Sequence, residues 1–371
     1  MKFYCEKYLL MNAITIASRA VASKSAIASL EGLLIEAAEN IKVSGYDLKT
    51  GITTNFTADI TEKGSIVLNA RLFGEIVRKL PDDIVKIEIN ENYMAKIECG
   101  MSEFEIIGFS ATDYPELPQF EHQDSISLPE KTIKNMISQT NFAVSDNESR
   151  PIHTGALFEV EDNVLTIVAV DGYRLALRRE VLENTANKKF SFVVPGAALN
   201  EVEKITGDNN DSATIALGSK HIVFTIKDTV LISRRLEGEF LNYKNSIPQT
   251  SKYTVNVEKR AIVDSVDRVS LIINDKLKSP VRCIFGTNIL KMSAVTAIGR
   301  ANDECVTKGD GEELEIGFNN RYLLEALKAA PAEDICIQLT SGISPCIITP
   351  TDNGRNFLYM ILPVRLKANE S

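Results

Sequence analysis

Tryptophan is absent from the 371-residue chain, histidine occurs three times, and the six cysteines never form a CxxC pair. The thiols (Cys5, Cys99, Cys283, Cys305, Cys336, Cys346) are scattered, most of them in apolar strand-like contexts. That pattern disfavours a zinc site or a disulfide framework and points to reduced, buried thiols in a cytosolic protein. His122, His153 and His221 lie far apart, none in HExxH or a similar ligand spacing, so structural roles are expected for each and no metal. Phosphate-cradling and nucleophile motifs are missing too: there is no GxGxxG, no Walker lysine loop and no GxSxG. The "KTG" at 49–51 lacks the SxxK that would make it part of a penicillin-binding enzyme. Carboxylate pairs such as Asp82-Asp83 and Glu312-Glu313 read as solvated turns. With no nucleophile, base or metal in view, the reading is not an enzyme, and no cofactor is expected. No apolar run is long enough to cross a membrane. The opening "MKFYCEKYLLMNAITIASRAV" puts Glu6 and Lys7 ahead of apolar residues broken at helical spacing, unlike a signal peptide.

What is present is an ordinary globular composition, 44% apolar and 25% charged, in a chain long enough for two or three domains. The net charge is −9, from 41 basic and 50 acidic residues. An acidic balance counts against nucleic acid only if the cations are evenly spread, because one basic concave face can sit within an acidic shell.

One pattern recurs three times at a period of about a domain's length. Each copy opens with a short strand and an amphipathic helix: "MKFYCEKYLLMNAITIASRAV", "SISLPEKTIKNMISQTNFAV" and "KYTVNVEKRAIVDSVDRVSLI". A second helix follows midway, in "VLNARLFGEIVRKLP", "FVVPGAALNEVEKITG" and "EIGFNNRYLLEALKAAP", each ending at proline or glycine. Short alternating strands fill the rest. The fold class expected is α+β, three tandem copies of two helices packed on antiparallel sheets. Polar, proline-bearing linkers near 113–125 and 240–252 set domains at 1–122, 123–249 and 250–371.

The hairpin "IVAVDGYRLALRR" (167–179) stands apart. Asp171-Gly172 makes a good tight turn, but a turn does not require Tyr173 and Arg174 beside it. The counterparts "IKVSGYDLKTGITT" and "LKMSAVTAIGRAND" lack the Asp-Gly-Tyr-Arg tip. It is either surface decoration or the rim of a site. Helix cations pose a similar choice. In "NARLFGEIVRKL" the apolar face is Leu72, Phe73, Ile76, Val77 and Leu80, which leaves Arg71, Arg78 and Lys79 pointing elsewhere. Lys131, Lys134, Lys204, Lys259, Arg260, Arg321 and Lys328 sit on or beside the equivalent helices. They are ordinary solvated faces or, summed over inward-turned helices, a positive lumen.

The threefold unit, "VDGYRLALRR", the second linker "LEGEFLNYKNSIP" and the terminal "YMILPVRL" together resemble the bacterial sliding-clamp family, the β subunits of the replicative DNA polymerase. The resemblance runs over essentially the whole chain. It implies a head-to-tail homodimer forming a six-domain ring, a processivity factor that encloses double-stranded DNA without sequence specificity and tethers the replicative polymerase. Size agrees: units of this length are balls roughly 35 Å across, three of which would leave a hole of about 5 Å and six one of about 35 Å. B-form DNA, roughly 20 Å across, passes only the second.

Helices turned to the hole would bring Arg71, Arg78 and Lys79 towards DNA phosphates, and the resemblance matches Lys24 and Arg150 to positions the family uses against DNA. Gly196 and Ala197 stand where the family often has basic residues, which puts DNA contact there in doubt. It implies a pocket for short peptides of the polymerase, clamp loader and repair polymerases. One wall is His153, Val170, Gly172, Tyr173, Arg174, Leu175 and Leu241; the other is Ile343, Met360, Leu362, Pro363, Val364 and Arg365. Arg174 and Arg365 would hold the peptide backbone. His153 and Val170 differ from some members. The dimer contact expected is Phe104 and Ile106 against Leu271 and Ile272, and the tail "KANES" is expected to be disordered. No membrane partner is expected. The rival reading is a tandem-domain protein-interaction scaffold without nucleic-acid binding.

Overall fold

A computed structural model describes residues 1–120, 124–183, 189–274, 279–310, 312–352, 354 and 356–366. His122 and the tail 367–371 lie outside the described residues.

The first copy runs β1 (Lys2–Glu6), α1 (Lys7–Ala17), β2 (Gly32–Ala37), β3 (Ile41–Tyr46), β4 (Thr50–Phe56), β5 (Asp59–Glu62), β6 (Gly64–Asn69), α2 (Ala70–Lys79), β7 (Ile84–Ile89), β8 (Met94–Cys99) and β9 (Ser102–Ile107). The second runs β10 (Asp124–Pro129), α3 (Glu130–Ser138), β11 (Gly155–Glu161), β12 (Val164–Val170), β13 (Arg174–Val181), β14 (Phe190–Pro195), α4 (Gly196–Ile205), β15 (Ser212–Leu217), β16 (His221–Ile226) and β17 (Thr229–Arg234). The third runs β18 (Tyr253–Glu258), α5 (Lys259–Ser270), β19 (Val281–Phe285), β20 (Ile289–Thr296), β21 (Gly299–Val306), β22 (Lys308–Asp310), β23 (Leu314–Phe318), α6 (Asn320–Ala329), β24 (Asp334–Leu339), β25 (Cys346–Pro350) and β26 (Phe357–Ile361). Strand, helix, strands, helix, strands repeats each time, as the sequence pattern predicts.

Local chemistry fixes the helix ends. Asn69 and Asn319 cap α2 and α6, their side-chain oxygens accepting from the Leu72 and Tyr322 amides at 3.0 and 3.2 Å. Lys7, the first residue of α1, donates to the Leu80 carbonyl just past α2 at 2.5 Å; Lys259, first in α5, does the same for Ala330 past α6 at 2.8 Å. Both place a cation at the negative end of a helix. Lys259 is therefore engaged at a helix end. The second copy has Glu130 at the corresponding position, and there the carboxylate accepts from the Gly207 amide at 2.6 Å.

By contacts the chain divides into two compact units, 1–134 with 200–235 and 135–199 with 236–371. In the first, β5-β1-β7-β8-β9 form one sheet and β10-β15-β16-β17-β4-β3-β2-β6 another. In the second, β14-β11-β12-β13-β26-β25-β24-β18-β22 form a nine-stranded sheet and β21-β20-β19-β23 a four-stranded one. The two large sheets each join successive sequence copies, through β4 with β17 and through β13 with β26, all antiparallel. A compact unit therefore does not coincide with one copy of the repeat. The first unit's main core includes Phe3, Leu10, Ile14, Phe73 and Val77. Leu72, assigned above to the apolar face of its helix, is instead 46% exposed, because the buried arc is Phe73, Gly74, Ile76, Val77 and Leu80.

Candidate functional site

The Asp-Gly-Tyr-Arg tip is a tightly bonded turn. Asp171 Oδ1 accepts from the amides of Tyr173 and Arg174 at 2.8 and 3.0 Å, and Gly172 has φ 91°, the left-handed region that favours glycine. Tyr173 is left largely exposed, its ring stacked on that of Tyr322 from α6 with centroids 6.1 Å apart. Arg174 turns inward and is only 4% exposed. Its Nε donates to Asp171 Oδ2 at 2.9 Å, one terminal nitrogen pairs with Glu325 of α6, and the other donates to the Phe142 carbonyl at 2.5 Å. The guanidinium also lies over the Tyr322 ring, 4.4 Å from its centroid. The expectation that Arg174 lends its charge to a bound backbone therefore needs correction: that charge is engaged inside the protein, and it locks the hairpin to α6. Arg365, by contrast, is exposed and has no ion-pair partner among the described residues.

Behind the tip, strand register assembles an apolar sheet face whose central residues are at most 8% exposed. Val170 faces Leu175 across the hairpin, Leu175 faces Met360, and Met360 faces Ile347. One step along, Leu157, Val168, Leu177 and Leu358 make a second row on the same face. All but Leu358 of these residues, with Val193 and Tyr243, form a single buried cluster against which Ile152, Leu236, Phe240, Ile247 and Leu358 pack. Tyr243 from the linker is held by its hydroxyl, which donates to Glu159 at 2.8 Å. The Leu362 amide donates to the Tyr173 carbonyl and the Val364 amide to the Gly317 carbonyl, both at 2.8 Å, so "YMILPVRL" is pinned to the hairpin tip at one point and to β23 at the next. Leu362, Pro363 and Val364 are half-buried, while Leu241 and Ile343 stay exposed at 45% and 83%. His153 lies edge-on to Phe240, centroids 5.7 Å apart. Burial, and then the Arg150 charge, hold its pKa below the ordinary imidazole value.

Of the cations assigned to DNA, Lys24, Arg78, Lys79 and Arg150 are exposed and have no ion-pair partner among the described residues. Arg71 is exposed but pairs with Glu75 one turn on, at 3.1 Å. Most other helix cations are likewise partnered: Lys134 with Asp208, Lys204 with Glu201, Arg260 with Asp264, Arg321 with Glu325 and Lys328 with Asp267. Local carboxylates thus offset much of the helix charge, and Lys131 joins the unpartnered group. Gly196 is buried against Val144, with its carbonyl bonded to Asn141, so no long side chain fits there; Ala197 beside it is exposed.

Phe104 and Ile106 lie on β9, the last strand of its sheet, on the face shared with Ile97 and Ala95. Phe104 is 39% exposed, but Ile106 packs against the core. The fully presented apolar side chains nearby are Met101 and Ile107, which the sequence pattern does not single out; the strand's alternation puts Ile107 on the opposite face from Ile106. Leu271, just past α5, is 83% exposed and Ile272 half-buried. Among the described residues β21 is likewise an unpaired edge, at the end of the four-stranded sheet.

The six cysteines are all free and buried. Burial pushes the Cys5 and Cys346 thiols up to about 12, so both stay protonated at neutral pH.

Comparison with known proteins covers nearly all of the chain. The family described as DNA polymerase III beta subunit matches in three parts: its N-terminal domain over residues 1–118, its central domain over 127–242 and its C-terminal domain over 244–365. The beta sliding clamp of Halalkalibacterium halodurans is 34% identical over 379 residues, covering 98% of this chain and all of the relative. That of Bacillus subtilis is 34% identical over 386 residues, with the same coverage. Among solved structures, the Bacillus subtilis DNA polymerase sliding clamp matches with a TM-score of 0.95 and 34% identity over 99% of this chain and all of that one. A putative DNA polymerase III beta subunit from Eubacterium rectale matches with a TM-score of 0.93 and 34% identity over the same shares.

Proposed function

Since this chain belongs to the DNA polymerase III beta-subunit family, the beta sliding clamps, we propose that two copies close head to tail into a ring of six similar domains. The ring surrounds duplex DNA and tethers the replicative polymerase to it. The observation that carries the ring is the pair of open edges. Copies one and two join through β4 and β17, and copies two and three through β13 and β26. The equivalents left over are β21, third strand of its meander as β4 and β13 are, and β9, the last strand of its copy as β17 and β26 are. Each is an edge without a strand partner among the described residues. A third junction of the same kind needs a second chain, and a head-to-tail contact used twice closes the ring. Phe104, Ile106 and Ile107 on one side and Leu271 and Ile272 on the other supply its apolar part.

Enclosure makes tight chemical affinity for DNA unnecessary. Lys24, Arg71, Arg78, Lys79 and Arg150 make a few exchangeable phosphate contacts, which permit sliding because they carry no base readout. The accessible rim beside the apolar rows behind Tyr173, with Leu241, Ile343, Leu362 and Arg365, takes the hydrophobic anchors of a short peptide segment, and the buried rows back it. Such segments come from the replicative polymerase, the clamp loader and repair polymerases, which share the same seat. The protein acts in the cytoplasm as a non-enzymatic factor, its domains are 1–122, 123–249 and 250–371, and an ATP-driven partner opens the ring for loading.

Retention on DNA is the test. The loaded protein stays on closed circular DNA through a salt wash and runs off once the circle is cut. Equal loss from circular and linear DNA would refute enclosure.

A further inference from the structure

We propose a register for the joint between copies: β21 of one chain pairs antiparallel with β9 of the other so that Arg300 stands opposite the partner's Glu105. This rests on the dimeric reading above and adds to it a specific charge pair.

The internal junctions serve as the template. In the first copy Tyr46 pairs with Gly51 across a four-residue turn, in the second Val170 pairs with Leu175, and in the third Val295 pairs with Arg300 at the same separation. Arg300 therefore occupies the place of Gly51 and Leu175. On the other side, Ile226 pairs with Thr229 across a two-residue turn, as Cys99 pairs with Ser102. Ile232 is three residues beyond Thr229; Glu105 is three beyond Ser102. Gly51 faces Ile232 in the first junction, so Arg300 faces Glu105 in the third. The same offset sets Ala301 against Phe104, as Ile52 is set against Leu231, and Asn302 against Glu103.

Arg300 and Glu105 are exposed, and neither has an ion-pair partner among the described residues. Their charges are opposite, and cross-strand neighbours of opposite sign attract. The same residues discourage wrong pairing: β9 against another β9 would bring Glu103 and Glu105 onto like charges. A helix contact gives an independent alignment. Arg19, thirteenth from the start of α1, reaches Glu201, sixth in α4, at 3.2 Å. The thirteenth residue from the start of α5 is Leu271 and the sixth of α2 is Glu75, so Leu271 falls beside the partner's α2. There Leu72, one turn from Glu75, is 46% exposed.

The test uses full-length protein and sedimentation equilibrium. E105R alone and R300E alone each place like charges at both joints, and each raises the dimer Kd by about 100-fold, roughly tenfold per joint. Mixing the two variants in equal amounts restores dimer to the wild-type level, because in the mixed dimer both joints regain opposite charges. Recovery on mixing supports the register and rules out misfolding of either variant. Wild-type-like dimerisation of the single variants, or no recovery on mixing, overturns the register while leaving the dimer standing. A wild-type protein that stays monomeric overturns both.

Discussion

The ring of Tyr173 lies against that of Tyr322, centroids 6.1 Å apart and planes 25° from parallel. One residue of the hairpin tip is thereby braced by α6, and its neighbour Arg174 is tied to the same helix through Glu325. The exposed face of the tip and its buried anchor are two halves of one device.

Removing the anchor should loosen the tip. Arg174→Ala removes the guanidinium that Asp171 Oδ2, Glu325 and the Phe142 carbonyl share, leaving Glu325 with Arg321 and Asp171 with its backbone amides, and is expected to cost about 3 kcal/mol, the low end for a broken buried pair because Glu325 is partly solvated. Arg174→Lys should recover little, since an ammonium cannot reproduce the three-way fork. Urea denaturation measures the stability, and fluorescence anisotropy with a labelled partner peptide should report weaker binding in both variants.

Rim residues should behave in the opposite way. Leu241→Ala and Ile343→Ala remove side chains that are already exposed, so stability should stay within about 0.5 kcal/mol of wild type. Peptide affinity should nevertheless fall by about tenfold for the side chain that meets a hydrophobic anchor. The same anisotropy titration, run beside a melting curve, separates the two effects.

DNA binding should depend on the unpartnered cations. Exchanging Arg78 and Lys79 together for glutamine should leave folding unchanged and make the salt dependence of DNA retention shallower, by about one unit of log–log slope for each phosphate no longer neutralised. Arg71→Gln should have a smaller effect, because Arg71 is already held by Glu75. Retention on circular DNA over a salt series measures both.

Two histidines should give the protein an acid-sensitive edge. Burial holds the pKa of His153 and of His221 below the ordinary value. Both are neutral in the native state and take up protons more readily when unfolded. Stability contributed in this way is present above about pH 6.5 and is lost as the pH falls towards the depressed native values. The carboxylates held down by lysine or arginine partners, such as Glu98 and Asp303, lose their contribution only in a more acid range, below about pH 4.5. Urea midpoints between pH 7.5 and 5 should fall, and H153N with H221N should flatten that part of the profile.

How far the sequence could be read depends on the kind of interaction. The threefold pattern, the helix ends at Pro81, Gly207 and Pro331, and the hairpins were all legible, because propensity and period act over a few residues. Which side of an element ends up covered was less so. Leu72 belongs to an apolar stripe by period, yet it is 46% exposed among the described residues of its unit. Ile106 and Ile107 are adjacent isoleucines, and only the pairing of β9 with β8 decides which of them faces the core. Arg174 looked like a rim cation because its burial depends on Glu325 and Tyr322, about 150 residues further on. The offsetting of Arg321 and Lys328 by Glu325 and Asp267 is partly local and partly not: i,i+4 spacing signals the first, whereas the second pairs across α5 and α6.

The same strand position carries Leu175 opposite Met360 at one junction and Gly51 opposite Ile232 at another. Only the former lies in the broad apolar face behind Tyr173, so on the function proposed above each chain carries one peptide seat there, and a closed pair of chains carries two. If the replicative polymerase, the clamp loader and repair polymerases all use that seat, none can be permanently moored. Each must let go for the next to work, and succession then follows from local abundance and dwell time.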